Sequence, residues 1–243
     1  MKKTRAAGDK VWSSFAEAVA DVPDGAVMMI DGFGGPGGMP SYLISALRDQ
    51  GARNLTVIGN TAGLPGFGAK AGQEFITTAV LYENKQVRKT IASFPVPRSP
   101  SVMTPFRRAW QAGEVELEVV PQGTLAERIR AGGAGIAAFY TPTSAGTELA
   151  KGKETREFDG RTCVLEQALK ADYAFIRAHR ADTMGNLTYR GTSRNFNPPM
   201  ATAARVTIAE VDEIVPAGAI DPEAVVTPGI YVRRIVARPG AAR

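Results

Sequence analysis

Residues 27–50 read VMMIDGFGGPGGMPSYLISALRDQ: a short apolar run, a glycine cluster, then an amphipathic helical pattern. Gly32-Phe33-Gly34-Gly35-Pro36-Gly37 meets the spacing G-x-G-x-x-G, with which a backbone can approach a pyrophosphate at a helix N-terminus. A dinucleotide site also needs an acidic residue at the end of the next strand, where it holds the ribose hydroxyls. The next apolar strand here, Leu55 to Asn60, ends in Gly59-Asn60 with no Asp or Glu. Five of the seven residues from Gly32 to Gly38 are glycine, so composition alone satisfies the spacing. No Gly-Lys-Ser/Thr follows, which excludes a P-loop. A tight strand-to-helix turn that needs glycine for its backbone remains open beside a functional loop.

Other reactive residue types are scarce. A single histidine, His179, leaves no His-based metal site or triad within the chain and reads as structural or exposed. A single cysteine, Cys163, excludes an internal disulfide, fits a reducing cytoplasm and reads as a small core residue. In YRGTSRNFNPPM, Arg190 and Arg194 flank polar residues, a pattern that suits either an anion or a salt-bridged turn. Trp12 and Trp110 fit helix packing.

The chain has 243 residues, 44% hydrophobic and 22% charged, enough for a sizeable core in an ordinary globular protein. No apolar run approaches the roughly 20 residues of a membrane span, and the basic start MKKTRAAGDK has no apolar stretch behind it, so neither a membrane nor a secretory role is expected. The net charge of +5 favours anionic partners, but the basic residues are dispersed and carry no nucleic-acid-binding signature.

The elements that must position these residues alternate. Val11–Val22 has helical spacing; Asp24–Ile30 reads as a strand buried on both faces; residues 40–54 read as a helix with Ser41 near its start and Gly51 as its stop. Leu55–Asn60 is the next strand. Residues 61–79 read as loop, KQVRKTIASF as strand, the proline-rich Pro95–Pro105 as irregular, FRRAWQAGE as a short helix and VELEVVP as strand. GTLAERIRAGGAG reads as a helix with Thr124 as cap and Gly132/Gly133 as stop. IAAFY, VLEQAL and ADYAFIRAHR supply strand and helix material, ATAARVTIAEVDEIV mixes helix and strand, and PGIYVRRIV reads as a last strand. The alternation predicts an α/β fold, one domain over 1–243, with a mostly parallel central sheet flanked by helices.

Three blocks together resemble one family: DGAVMMIDGFGGPGGMPSYLISAL; ELEVVPQGTLAERIRAGGAGIAAFYTPTSAGT; and KETREFDGRTCVLEQALKADYAFIRAHRADTMGNLTYRGTSRNFNPPMATAA with IAEVDEIV and DPEAVVTPGIYV. They are similar to the A (α) subunit of family I 3-oxoacid CoA-transferases, nearest the 3-oxoadipate branch, over almost the whole chain. The resemblance implies the NagB-like α/β fold of that family. Asp31 stands where the family signature has a glycine, the run to Gly38-Met39-Pro40 is one residue longer, and residues 64–82 are longer than in common members; all three fall near the expected active-site face.

The resemblance implies ping-pong transfer of CoA from succinyl-CoA to a 3-oxo acid, 3-oxoadipate or acetoacetate, through a covalent glutamyl intermediate. The nucleophilic glutamate belongs to the B (β) subunit, in a Ser-Glu-Asn-Gly-type motif that this chain lacks. Coenzyme A esters are then substrates, no tightly bound cofactor or metal is expected, and the partner is the B (β) subunit, in a heterotetramer of two α and two β chains in the cytoplasm. By resemblance, Asn60 and Gln122 sit beside the acyl group, where side-chain amides can donate to an oxyanion without titrating. Their plainer readings are a turn former and a helix cap. Gly32, Phe33, Gly34, Gly35, Gly37 and Gly38 would shape the substrate pocket and offer N–H groups to a carboxylate. Arg98, Arg107 and Arg108 are the basic residues available to a dicarboxylic acyl group. The competing expectation is an acyl-CoA hydrolase on the same fold, including a ring-opening type, in which a glutamate of this chain, Glu74 or Glu83, does the work.

Overall fold

The computed structural model describes residues 8–30, 32–33, 38–64, 76–97, 99 and 101–242. A nine-stranded, almost wholly parallel sheet carries helices on both faces. Its strands are β1 (Val11–Trp12), β2 (Val27–Met29), β3 (Leu55–Thr61), β4 (Val87–Phe94), β5 (Glu116–Val119), β9 (Ala171–Asp182), β10 (Leu187–Thr188), β11 (Ala204–Val215) and β12 (Val232–Ala242). They run in the order β1-β12-β11-β9-β2-β3-β4-β5, and β10 lies antiparallel on β9. The chain lays β3, β4 and β5 on one side of β2 and returns to place β9 on the other, so β2 sits where the strand order reverses. In open α/β sheets the crevice at such a point, beyond the carboxyl ends of the strands, is where ligands bind. The glycine segment leaves β2 there.

The helices α1 (Phe15–Val19), α2 (Ser41–Gln50), α3 (Ala79–Glu83) and α4 (Pro105–Gln111) cover one face, packing Leu43, Ile44, Leu47, Leu81 and Phe106 against Val57 and Phe175. The opposite face is covered by α5 (Gln122–Ala134) and α6 (Asn197–Ala203), with Leu125, Ile129 and Met200 against Ile58, Ala174 and Ile176. All seven residues of β3 are buried, as a parallel strand between two helical layers requires. Each fully buried Leu or Ile contributes about 1.5–3 kcal/mol. A second, antiparallel sheet of β6 (Ala138–Thr141), β7 (Thr155–Phe158) and β8 (Arg161–Gln167), in the order β6-β8-β7, was not foreseen from the sequence. Cys163 is buried in it. No helix among the described residues is long and apolar enough to cross a membrane.

Several local expectations need correction. Residues 11–22 are not one helix: Val11 and Trp12 pair in parallel with Ile235 and Val236, and the helix waits for its cap, Ser14. Trp12 lies under the Arg234 guanidinium rather than in a helix interface, and Trp110 is 43% exposed. Helix α3 begins at Ala79, the last residue of the stretch that reads as loop, and runs through residues 80–83, for which the sequence offers no assignment. Thr124 does not cap α5, which starts two residues earlier, after Pro121, and runs through Gly132 and Gly133 to stop at left-handed Gly135, φ 77°. A Cβ on Gly132 would overlap the carbonyl oxygen of Leu169, and one on Gly133 the hydroxyl of Thr202; those glycines serve close approach, not termination. By contrast α2 starts at Ser41 and stops at left-handed Gly51 as expected.

Candidate active site

Asn60 and Gln122 come from different elements and meet at the carboxyl edge of the sheet. Asn60 is the sixth residue of β3 and is 4% exposed. Along β3 its side chain follows Ile58 onto the face covered by α5. Gln122 opens α5 two residues after Val120, whose N–H continues the β4–β5 ladder to Ala92. Leu125 and Ile129 seat α5 on the sheet, and this carries Gln122 over the end of β3. The Gln122 side-chain amide donates to Asn60 Oδ1 at 2.5 Å. Neither residue has its plainer role: Asn60 lies within a strand, and the Gln122 side chain is spent on Asn60 rather than on a cap. The first turn of the 13-residue α5 points its positive end to the same edge.

The described part of the glycine segment packs on the loop 190–197, with Gly38 and Asn197 in contact across 159 positions of sequence. Phe33 meets the ring of Phe196 edge-on, centroids 4.9 Å apart. The bare backbones of Gly32 and Gly38 leave room for the Asn195 side chain, which a Cβ on either glycine would overlap. Asn195 holds a positive φ of 28°, uncommon for a residue with a side chain. Buried Asn197 donates to Gly38 O at 3.3 Å and Ser193 O at 2.8 Å and accepts from the Arg177 N–H. The only signal of this in the sequence was the polar run RNFN itself. Gly34, Gly35 and Gly37, with Asp31, lie outside the described residues.

The helix after the glycine segment is not an open anion site. Glu210 on β11, fully buried, places Oε2 2.9 Å from the N–H of Tyr42 and 3.2 Å from that of Leu43, so the N-terminus of α2 already holds a carboxylate. The dinucleotide reading of G-x-G-x-x-G would need a pyrophosphate in that place. Burial pushes the Glu210 carboxyl up to about 7, against the pull of the two N–H donors and of Arg177. Its Oε1 has no hydrogen bond and faces Arg238 Nε at 3.5 Å. Nothing in the local sequence signalled this contact between Tyr42 and a residue 168 positions away.

Glu83 ends α3, exposed, shortly before β4 begins, at the amino edge and away from Asn60 and Gln122. That placement removes it as the glutamate of a hydrolase. Glu74 and Arg98 lie outside the described residues. Arg107 and Arg108 sit on α4. His179 on β9 lies 3.4 Å from Asp212, a structural contact. Among the described residues no group of three His, Cys, Asp or Glu side chains could hold a metal ion.

Residues 12–238 match the model of the coenzyme A transferase family. The chain belongs to the coenzyme A transferase family. It is 51% identical over 234 residues to the A subunit of the 3-oxoadipate CoA-transferase of Pseudomonas putida, covering 96% of each chain. It is 54% identical over 233 residues to the A subunit of the succinyl-CoA:3-ketoacid coenzyme A transferase of Xanthomonas campestris, covering 96% of this chain and 90% of that one. Among solved structures, an acyl-CoA transferase of Escherichia coli O157:H7, in thioester complex with CoA, superposes with a TM-score of 0.77 at 23% identity. All of this chain is covered there, and it spans half the length of that protein. At that identity the superposition establishes the fold: this CoA-transferase chain has the family's α/β sheet.

Proposed function

We propose that this chain is the α subunit of a cytoplasmic 3-oxoacid CoA-transferase that moves CoA from succinyl-CoA to 3-oxoadipate or acetoacetate, with the β subunit supplying the glutamate nucleophile. The observation that carries this reading is the near-full-length likeness to two relatives that are each named as the A subunit of such an enzyme. The Asn60–Gln122 pair at the sheet's carboxyl edge supports it.

The chemistry runs in balanced halves. The partner's glutamate carboxylate attacks the thioester carbonyl of succinyl-CoA, the C–S bond breaks, and CoA thiolate leaves an acyl-glutamyl anhydride. The thiolate attacks the glutamyl carbonyl and releases succinate, giving a glutamyl-CoA thioester. The incoming 3-oxo acid attacks that thioester through its carboxylate, and the thiolate returns to the new acyl carbon to regenerate the glutamate. Every attack places negative charge on a carbonyl oxygen. With its own oxygen engaged by Gln122, the Asn60 amide turns N–H donors to the site, and the positive end of α5 favours the same charge. A preorganised donor of this kind supplies roughly 3 kcal/mol to a transition state.

The test is CoA transfer from succinyl-CoA to each 3-oxo acid, by this chain alone and together with its β subunit. Transfer that needs both chains, with glutamyl-CoA trapped on the partner, is the expected result. Release of free CoA by this chain alone, independent of added acid, would overturn the proposal.

A further inference from the structure

A polar cavity of about 230 Å³ opens at the carboxyl ends of β9 and β11, on the face that α2 covers. Arg177, His179, Arg190, Thr192, Ser193 and Asp212 line it. The segment 190–197 divides it from the glycine segment: Asn195 packs on Gly32 and Gly38, while Ser193, two residues before, faces the cavity. Asn197 ties both sides, bonding Gly38 O and Ser193 O and accepting from the Arg177 N–H. The cavity is thus one loop away from the described part of the glycine segment.

The charges in and around it do not cancel. Asp212, the acid that lines it, has both oxygens engaged: Arg177 Nη2 lies 2.6 Å from Oδ1 and His179 Nδ1 3.4 Å from Oδ2. Arg238 stands behind, between Glu210 Oε1 at 3.5 Å and Asp212 Oδ1 at 3.7 Å. Those two arginines and two acids balance. Arg190 is the surplus: its guanidinium is exposed and has no acidic partner among the described residues. Thr192 adds a hydroxyl; that of Ser193 is spent on the Arg190 backbone, donating to Arg190 O and accepting from the Arg190 N–H, and so fixes the turn that carries Arg190. The volume is below the 300–1,000 Å³ or so of a site that encloses a whole drug-sized ligand, and suits the end of a molecule whose remainder lies elsewhere.

We propose that this cavity takes a terminal anionic group of a substrate, with Arg190 as its principal contact. This rests on the transferase reading, whose substrates offer two such groups: the distal carboxylate of a dicarboxylic acid and a phosphate of coenzyme A. A charged hydrogen bond of this kind is worth roughly a ten- to hundredfold change in affinity.

The experiment uses Arg190→Gln in the complex with the β subunit, and Arg194→Gln, a neighbouring arginine outside the cavity, as control. For a carboxylate, the ratio of kcat/KM for succinate over acetoacetate as acceptor should fall at least tenfold in Arg190→Gln and stay at its wild-type value in Arg194→Gln. For a phosphate, the ratio for acetoacetyl-CoA over its 3′-dephospho analogue should fall instead. A second readout needs no turnover: succinate or adenosine 3′,5′-bisphosphate should raise the thermal midpoint of the wild-type complex, and Arg190→Gln should lose that rise. Protection without transfer in the wild type would sink the transferase reading and leave the anion site standing. Neither ratio moving, both variants moving equally, or no protection of the wild type would overturn the anion site.

Discussion

Gln122 donates its side-chain amide to Asn60 Oδ1 at 2.5 Å, joining the first residue of α5 to the carboxyl end of β3 across 62 positions of sequence. Asn60 is buried and Gln122 half-buried, so the bond is shielded from water, and it fixes which end of the Asn60 amide faces inward. A reactive site with no nucleophile of its own depends on such orientation, because its contribution is a donor held in place before charge develops.

Asn60→Asp keeps the oxygen that accepts from Gln122 and removes the N–H donors. Its kcat in the assembled transferase should fall roughly a hundredfold, with KM within a few-fold, because the lost contact is made to the transition state. Gln122→Ala should lower kcat less, and the double variant Asn60→Asp/Gln122→Ala should be scarcely slower than Asn60→Asp, since the two side chains act as one unit. Strictly additive losses in steady-state assays would separate the pair and refute the shared role.

Gly132→Ala tests how α5 is seated. On helix propensity alone the change should stabilise by up to about 1 kcal/mol. A Cβ there would instead collide with the Leu169 backbone, which cannot swing aside as a side-chain tip can. The expected result is a loss of about 1–3 kcal/mol in urea unfolding, the range for overpacking a close contact. A gain would mean that the Leu169 strand entry moves freely.

Arg128 holds the small sheet to the large one. Its side chain is 10% exposed; Nη1 reaches Glu118 at 2.8 Å, Nε donates to Gln167 O at 2.7 Å, and Glu166, 2% exposed, lies 3.8 Å away. Burial opposes ionisation of Glu118, but hydrogen bonds from Arg128 and Lys89 win and hold it below the usual carboxylate range. Arg128→Ala leaves Glu166 with Lys153 alone, at 2.6 Å. The variant should lose about 3 kcal/mol of stability, as a broken buried pair does. Arg130→Ala, which removes a solvent-exposed pair with Glu127, should leave the denaturation midpoint almost unmoved.

How far the sequence was legible follows from the range of each cause. Gly51 marks the end of α2 legibly because a left-handed stop acts within a turn; Ser41 stands at its start without capping it, its hydroxyl donating to Ile76 O. β3 was legible because a strand buried on both faces draws on apolar side chains for most of its length, here Leu55, Val57 and Ile58, before the polar Asn60 and Thr61 at its carboxyl end. Trp12 was misplaced because β1 exists through pairing with β12, at the far end of the chain. Gly132 and Gly133 look like a stop in the sequence because their reason, the Leu169 carbonyl and Thr202 hydroxyl, lies on other elements. In the site, Asn60 and Gln122 were each named through family resemblance, but their hydrogen bond is a tertiary fact. Glu210 on the N-terminus of α2 left no local trace at all, and it is the residue that turns the glycine signature away from dinucleotides.

Glu210 also predicts how stability varies with pH. Burial raises its carboxyl from 4.5 to about 7 in the folded protein. A group that binds its proton more tightly when folded makes the folded state lose stability as pH rises, beginning near the unfolded value of 4.5 and complete above about 7. A shift of this size corresponds to about 3 kcal/mol. Glu210→Gln keeps an oxygen for the Tyr42 and Leu43 N–H groups and removes the titration. Unfolding free energies measured at about pH 5 and about pH 8 should therefore show wild type losing ground to Glu210→Gln by up to that amount as pH rises. The loss should come with loosening at the start of α2, read as faster amide exchange at Tyr42 and Leu43, because the charged form of Glu210 is the one that burial penalises. Parallel stability curves for the two proteins would mean that Arg238 and Arg177 compensate the buried charge fully, and Glu210 would then be a fixed anion at the helix N-terminus throughout this range.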